Sequence, residues 1–365
     1  MYATLGTYDS VLILEAPEEK AIFKFVAMVS AEGEVNTETW RAIPFEDFSK
    51  IIQELPELSF VIMNIDVVCL GHCAWDLLFV VDEFPQPDSK LEALESFQQG
   101  GGPAATAAVT LSRLGARVAI IGKVGDDIWG QGIVDGLAEE GVATRGLIVE
   151  HGKSSPLSLV IMEGTSGKRS IVHNRGTVDP LSPEDLNTEL LFSGKILLID
   201  SLHPEAGLAG VKMARDKGIQ VVLDTGAFKP DATELLKFVD VVIAPEYFVS
   251  DYAPDKSSAD VCKDLLASGP EVVVITQGER GGVCFTPKEK FSYPGFEVDV
   301  ADTTGAGDVF HGAFVFGVLQ EWDLKKTVTF ASGVAALKCT KLGGRTGIPS
   351  LQETLDFLRE RSMWS

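Results

Sequence analysis

Asp302-Thr-Thr-Gly-Ala-Gly-Asp308 runs directly into Val309-Phe-His-Gly-Ala-Phe-Val-Phe316, so a turn of small residues opens an apolar helix. Gly305, Ala306 and Gly307 carry little or no side chain, which lets a phosphate approach their backbone, and the helix beginning there points unpaired N–H groups outward. Asp308 in the first turn sits beside those amides. It is placed to accept the proton of an attacking hydroxyl while they hold charge on a transferring phosphoryl group. In isolation the same residues also fit a tight turn followed by an ordinary first-turn acid favoured by the helix dipole.

The surroundings of the turn alternate in period. Asn64-Ile-Asp-Val-Val-Cys-Leu-Gly71, Val118-Ala-Ile-Ile-Gly122, Lys195-Ile-Leu-Leu-Ile-Asp200, Gln220-Val-Val-Leu-Asp224, Val239-Asp-Val-Val-Ile243 and Val272-Val-Val-Ile-Thr276 are short apolar runs, and spans 104–114, 205–217 and 258–268 carry helical spacing. Short all-apolar strands separated by helices predict a parallel sheet covered on both faces, a three-layer α/β/α core. Leu77 to Gln99, and Ser158 to Asn174 with a turn at Gly164-Thr-Ser-Gly167, read as β-hairpin material instead. Such strands form either a small β-sheet lid beside the crevice or an edge extension of the main sheet.

The 365 residues are 45% apolar and 23% charged, a folded chain of two or three domains, and 31 Lys+Arg against 53 Asp+Glu leave a charge of −22. A polyanion would approach against a repulsive field, so nucleic acid is a poor partner, whereas a phosphorylated small molecule can be held locally by Mg²⁺ and oriented amides. No stretch reaches the roughly 18 continuous apolar residues of a membrane helix, no basic leader is present, and the chain reads as cytoplasmic. Cys69, Cys73, Cys262, Cys284 and Cys339 have neither disulfide density nor paired metal spacing and read as buried thiols.

Gly100-Gly-Gly-Pro-Ala-Ala-Thr106 precedes an alanine-rich helix. Gly100, Gly102 and Ala105 fit a dinucleotide fingerprint, but the preceding segment is amphipathic rather than a buried strand, and the following strand ends in Gly122-Lys without an acidic ribose ligand. No GxxxxGK[ST] exists, so phosphoryl transfer here would use the helix-terminus design rather than a P-loop.

Taken in order, Gly71-His-Cys-Ala-Trp-Asp76, the Gly101-Gly102 turn with its small-residue helix, Gly122-Lys-Val-Gly-Asp-Asp127 and Asp302-Thr-Thr-Gly-Ala-Gly-Asp308 resemble the ribokinase family of PfkB-type carbohydrate kinases, from about Met63 to Leu358. The resemblance implies an ATP- and Mg²⁺-dependent kinase acting on a ketose, pentose or related acid. It implies Asp308 as catalytic base, Gly305, Ala306 and Gly307 as anion hole, Asp76 as the carboxylate gripping sugar hydroxyls, and Gly101 and Gly102 as hinge between lid and core. Thr276, Gly278 and Gly281 match the nucleotide loop, and Gly344 falls in the loop near adenine. Asp302 and Thr304 match positions that bind a monovalent cation, K⁺, in many members; Asp302 as a simple helix-approach cap is the plainer alternative. Pairing of two copies through the lid is a further family expectation.

Departures are visible as well. Thr106 stands where the family commonly has a substrate-touching Asn, and Pro245-Glu-Tyr-Phe248 lacks the Asn-x-x-Glu element that orders Mg²⁺, leaving Glu246 to substitute through water. Asp224 and Lys229, at the end of a core strand, serve the phosphates or metal, or are surface groups. Arg175 in the lid contacts a sugar or its phosphate, or is a solvated edge charge, while His311 on the apolar helix reads as a core residue. Residues 1–60 resemble part of a GYD-type domain, a partial ferredoxin-like α+β segment, with a kinase unit over 63–365. A nucleoside kinase on the same scaffold and an ATP-binding regulator without chemistry are the competing functions.

Overall fold

The structure, a computed structural model, describes residues 65–164, 169–227 and 230–364. The expected α+β segment at the head and Lys229 lie outside the described residues.

Thirteen strands are described. They are β1 (Val67–Leu70), β2 (Ala74–Val81), β3 (Glu95–Gly101), β4 (Val118–Gly125), β5 (Ala143–Glu150), β6 (Leu157–Glu163), β7 (Arg169–Asn174), β8 (Ile196–Asp200), β9 (Gln220–Asp224), β10 (Val241–Pro245), β11 (Val272–Thr276), β12 (Gly282–Phe285) and β13 (Lys290–Tyr293). Nine form one sheet in the order β13-β12-β11-β10-β9-β8-β1-β4-β5, parallel except for the antiparallel pair β12 and β13 at one edge. Each βα crossover returns the chain to the same end of the sheet, so the carboxyl ends of these strands gather along one crevice, where open α/β sheets bind ligands.

The described helices are α1 (Pro103–Arg113), α2 (Ile128–Glu139), α3 (Thr188–Ser193), α4 (Pro204–Asp216), α5 (Glu246–Tyr252), α6 (Ser258–Ser268), α7 (Ala306–Leu319), α8 (Leu324–Lys338) and α9 (Leu351–Glu360). Alternation along β1 divides the core. Val67 and Cys69 pack with α1, α7 and α8 on one face, and Val68 and Leu70 with α4 and α6 on the other. This is the three-layer arrangement expected from the apolar runs. α7 is buried nearly all round, with Phe314 fully enclosed. Its Gly312 allows α1 to approach, since a Cβ there would lie 2.6 Å from the Ala107 carbonyl oxygen.

The hairpin segments form a separate four-stranded sheet, β3-β2-β6-β7, rather than an extension of the main one. Strand β3 ends in Gly101, and Gly102 turns the chain into α1 with φ 90°, Pro103 following at the first helical position where its missing N–H is harmless. A Cβ on Gly102 would stand 2.4 Å from the His72 carbonyl oxygen.

Gly102→Ala combines a left-handed backbone, which alone costs an L-residue about 1–2 kcal/mol, with that collision. Its urea midpoint is expected to fall well below wild type. Gly136→Ala in α2, where an added Cβ meets nothing within 4 Å, is expected to hold or raise the midpoint.

Candidate active site

Gly305 adopts φ 73°, a left-handed conformation, and caps α7. The Ala306 amide bonds the Thr303 carbonyl at 3.2 Å and the first α-helical bond runs from Val309 to Gly305. That leaves the Gly305, Gly307 and Asp308 amides without a backbone partner among the described residues. The mouth of a fourteen-residue helix with free amides can bind an anion.

Asp308 does not sit there alone. Asp200 and Asp224 end the neighbouring strands β8 and β9 in register, and Asp224, Asp308 and His311 each offer a ligand atom within 4.8 Å of the others. Asp200 accepts the His72 amide at 2.6 Å and the Leu202 amide at 2.9 Å, while Asp224 accepts that of Gly226 at 2.9 Å. Burial pushes Asp224 and Asp308 up to about 7; the Asp200 charge adds to the first shift and the Asp224 charge to the second. Burial depresses His311, whose Nδ1 lies 3.3 Å from Asp224. Read from sequence as a core residue, His311 is buried, with its ring turned toward the Asp224 and Asp308 carboxylates. Two carboxylates with no fixed cation between them suit a divalent ion with oxygen preference such as Mg²⁺.

Asp302 is almost wholly enclosed. Its carboxylate accepts the Thr304 amide at 2.8 Å and the Gly343 amide at 2.8 Å, and its own carbonyl accepts Lys338 Nζ at 2.8 Å. Gly344 is drawn in with Gly343, so that a Cβ on Gly305 would lie 3.1 Å from the Gly344 oxygen. The loop expected near adenine therefore borders the phosphate turn. Thr304 Oγ1 is buried with no hydrogen-bond partner among the described residues. It and the Asp302 carboxylate are the side chains expected to meet a monovalent cation, and the Lys338 ammonium lies against the other side of Asp302.

Across the crevice Asp76 projects from β2, opposite Ser158 of β6, which hydrogen-bonds it. Burial raises its pKa, countered by Ser158 and Arg345. Gly101 must be glycine here, because a Cβ would come within 2.2 Å of the Asp76 carboxylate.

Residues 64–351 match the description pfkB family carbohydrate kinase. The chain belongs to that family. The kinase is 29% identical over 298 residues to the ATP-dependent ribose-1-phosphate kinase of Halopiger xanaduensis, covering 81% of this chain and 98% of that protein. It is 29% identical over 297 residues to the ribokinase of Bacillus subtilis, covering 80% and 99%. The ribokinase structure of Thermotoga maritima superposes with a TM-score of 0.72 at 24% identity, over 81% of this chain and 99% of that one. Residues 1–52 match the GYD domain description.

Other expected site residues of the kinase fall elsewhere. Thr276 ends β11, and the Gly278 and Gly281 turn, with positive φ at both, follows it at the same end of the sheet. Glu246 is clamped to this turn: one carboxylate oxygen accepts Gln277 Nε2 at 2.8 Å and the other pairs with Arg280. Both oxygens being engaged, Glu246 suits bracing of the turn better than holding Mg²⁺. Thr106 is buried, its hydroxyl 3.4 Å from Arg345 Nε, and Arg345 also donates to the Gly101 carbonyl at 3.0 Å. Arg175 is exposed beyond β7 beside His173, whose ring lies 5.5 Å from that of His72. Asp200, Lys338, His72 and Arg169, which hydrogen-bonds Thr303 from β7, escaped sequence reasoning. Asp200 alone carried a signal, as the polar end of an apolar strand.

Carboxylates with raised pKa bind protons more tightly folded than unfolded. Their stabilising contribution is present at low pH and is lost as pH climbs from the ordinary value near 4 toward about 7. In metal-free buffer, Asp224→Asn is expected to melt a few degrees above wild type at pH near 8, at about 2–4 °C per kcal/mol for a chain of this size. The gap should close near pH 4 in a calorimetric series.

Proposed function

We propose that the chain transfers the γ-phosphoryl group of ATP to a primary hydroxyl of a small sugar, a ketose, pentose or sugar acid. The observation that carries this reading is the position of Asp308 at the mouth of α7, among unpaired amides and beside the strand-end carboxylates. Asp308 serves as general base toward the acceptor hydroxyl. Its raised pKa suits the role, since a base titrating near the working pH combines basicity with availability.

The amides of Gly305, Gly307 and Asp308 hold charge on the transferring group, and Ala306, whose amide closes the turn, keeps them aimed. Mg²⁺ accompanying ATP supplies charge neutralisation between the phosphates when bound. Asp224, with His311 beside it, is the group suited to it, which leaves Asp308 free to take the proton. Thr276, Gly278 and Gly281 receive the nucleotide, with Glu246 as brace, and Gly344 walls the phosphate end.

On the acceptor side Asp76 binds sugar hydroxyls. Gly101 and Gly102 let the small sheet close over them, excluding water from the transfer. Thr106 supports Arg345 beneath that hinge, and Arg175 faces the sugar from the lid edge. Strand β7, exposed along its length, is the edge through which two copies would pair. The relatives that phosphorylate ribose or ribose-1-phosphate by name support a pentose-sized acceptor.

Asp308→Asn is expected to lower kcat by at least about tenfold with ATP binding retained, since positioned acid–base groups contribute roughly 10²–10⁴-fold. The assay is coupled ADP release screened over sugars, sugar acids and nucleosides. More than a tenth of wild-type kcat in the variant, or turnover with nucleosides alone, overturns the reading. Because the base must be unprotonated, wild-type kcat/KM should decline as pH drops through about 7, and that limb should vanish in the variant.

A further inference from the structure

Lys338, the last residue of α8, is fully buried and plays no part in the transfer described above. Its ammonium donates to the Asp302 carbonyl at 2.8 Å. The next residue continues the tie, for the Cys339 carbonyl accepts the amides of Ala301 at 2.8 Å and Asp302 at 3.1 Å. The end of α8 is thus stitched to the segment leading into the phosphate turn, with a fixed positive charge beneath Asp302. An ammonium is costly to bury unless a compensating negative group lies near.

We propose that Lys338 is the resident cation of the phosphate-binding turn, a positioning residue that takes the place of a dissociable monovalent ion at Asp302. The proposal rests on the phosphoryl transfer at Gly305–Asp308 argued above. The Asp302 carboxylate links the turn, through Thr304, to the C-terminal loop, through Gly343. A positive charge under this link, bonded to the Asp302 carbonyl, holds the segment in place so that both amides stay drawn in to the carboxylate. Burial lowers the lysine's pKa and Arg169 adds to that, while Asp302, the Cys339 thiol and Asp308 oppose it. A second cation at Asp302 would share an enclosed, weakly screened space with the ammonium and be repelled by it. The unpartnered Thr304 hydroxyl would offer such an ion only one neutral oxygen in return.

The test compares the wild-type chain, Lys338→Ala and Lys338→Met at equal ionic strength in tetramethylammonium, K⁺ or methylammonium chloride. It reads the melting temperature of the ligand-free protein, ATP affinity by calorimetry, and kcat and KM with an accepted sugar. For wild type the expected result is the same melting temperature in all three salts and kcat within about twofold. Lys338→Ala should lose at least about tenfold in kcat in tetramethylammonium, with KM for the sugar changed little, because each preorganised donor at such a hole is worth roughly 10²–10³. K⁺ or methylammonium entering the vacated space should raise both its kcat and its melting temperature. Lys338→Met, with the space filled and the charge gone, should be impaired and indifferent to the salt.

Wild-type activity that requires K⁺, full activity in Lys338→Met, or a Lys338→Ala protein whose melting temperature ignores K⁺ and methylammonium overturns the proposal. Failure of the kinase reading is distinguishable, because the melting-temperature comparison needs no substrate.

Discussion

Two amides and an ammonium converge on Asp302. Thr304 lies on one side of its carboxylate, Gly343 on the other, and Lys338 bonds the carbonyl behind. These segments are separated by some forty residues of chain, with α7 and α8 between them. The helix mouth at Gly305 can present its amides only if the preceding turn is rigid, and the turn has little apolar side chain to pack. Enclosed hydrogen bonds to a charged acceptor supply the rigidity that packing cannot. The Gly343–Gly344 loop is held against Gly305 by the same bonds, so the floor and one wall of the phosphate end share a single support.

The other organising force is repulsion. Asp200 and Asp224 stand side by side because parallel strands in register end together, and Asp308 faces them from α7. A protein selected only for stability would not place these carboxylates within a few ångströms of one another in an enclosed crevice. The arrangement raises the proton affinity of Asp224 and Asp308 and draws cations to the cluster. A divalent cation such as Mg²⁺ is what would relieve it. The chain's overall acidity plays no part in this; the local geometry does.

Much of the architecture could be read from the order of residues. Gln220–Asp224 and Val272–Thr276 appear as strands over the residues expected, and the hairpin segments left the main sheet because their exposed, alternating pattern suits a half-solvated sheet. The Asp302–Asp308 turn was legible because glycine spacing, helix start and acid are all local features. What escaped was distant pairing. Nothing adjacent to Lys338 signals that its ammonium will reach Asp302, and an apolar helix hides that His311 turns toward Asp224. Glu246 looked like a metal ligand by position, yet Arg280 and Gln277, more than thirty residues on, claim its carboxylate. Local propensity reports elements; which charges meet depends on how the crossovers stack them.

The close approach of α1 and α7 at Gly312 bears on the sequence of events in turnover. Helix α1 begins directly after Gly101 and Gly102, a place from which it could swing with the small sheet if those glycines act as a hinge. Its backbone is instead locked against the helix that opens at the phosphate turn. A hinge there would have to bend at the few residues before Pro103. On the function proposed above, the donor half of the site stays assembled whatever the lid does, whereas the acceptor half, split between Asp76 on the small sheet and Asp308 on the core, is completed only on closure. In an enzyme working that way, a nucleotide can wait in the open form without a partner, and stray water is not offered a completed site in which to attack it.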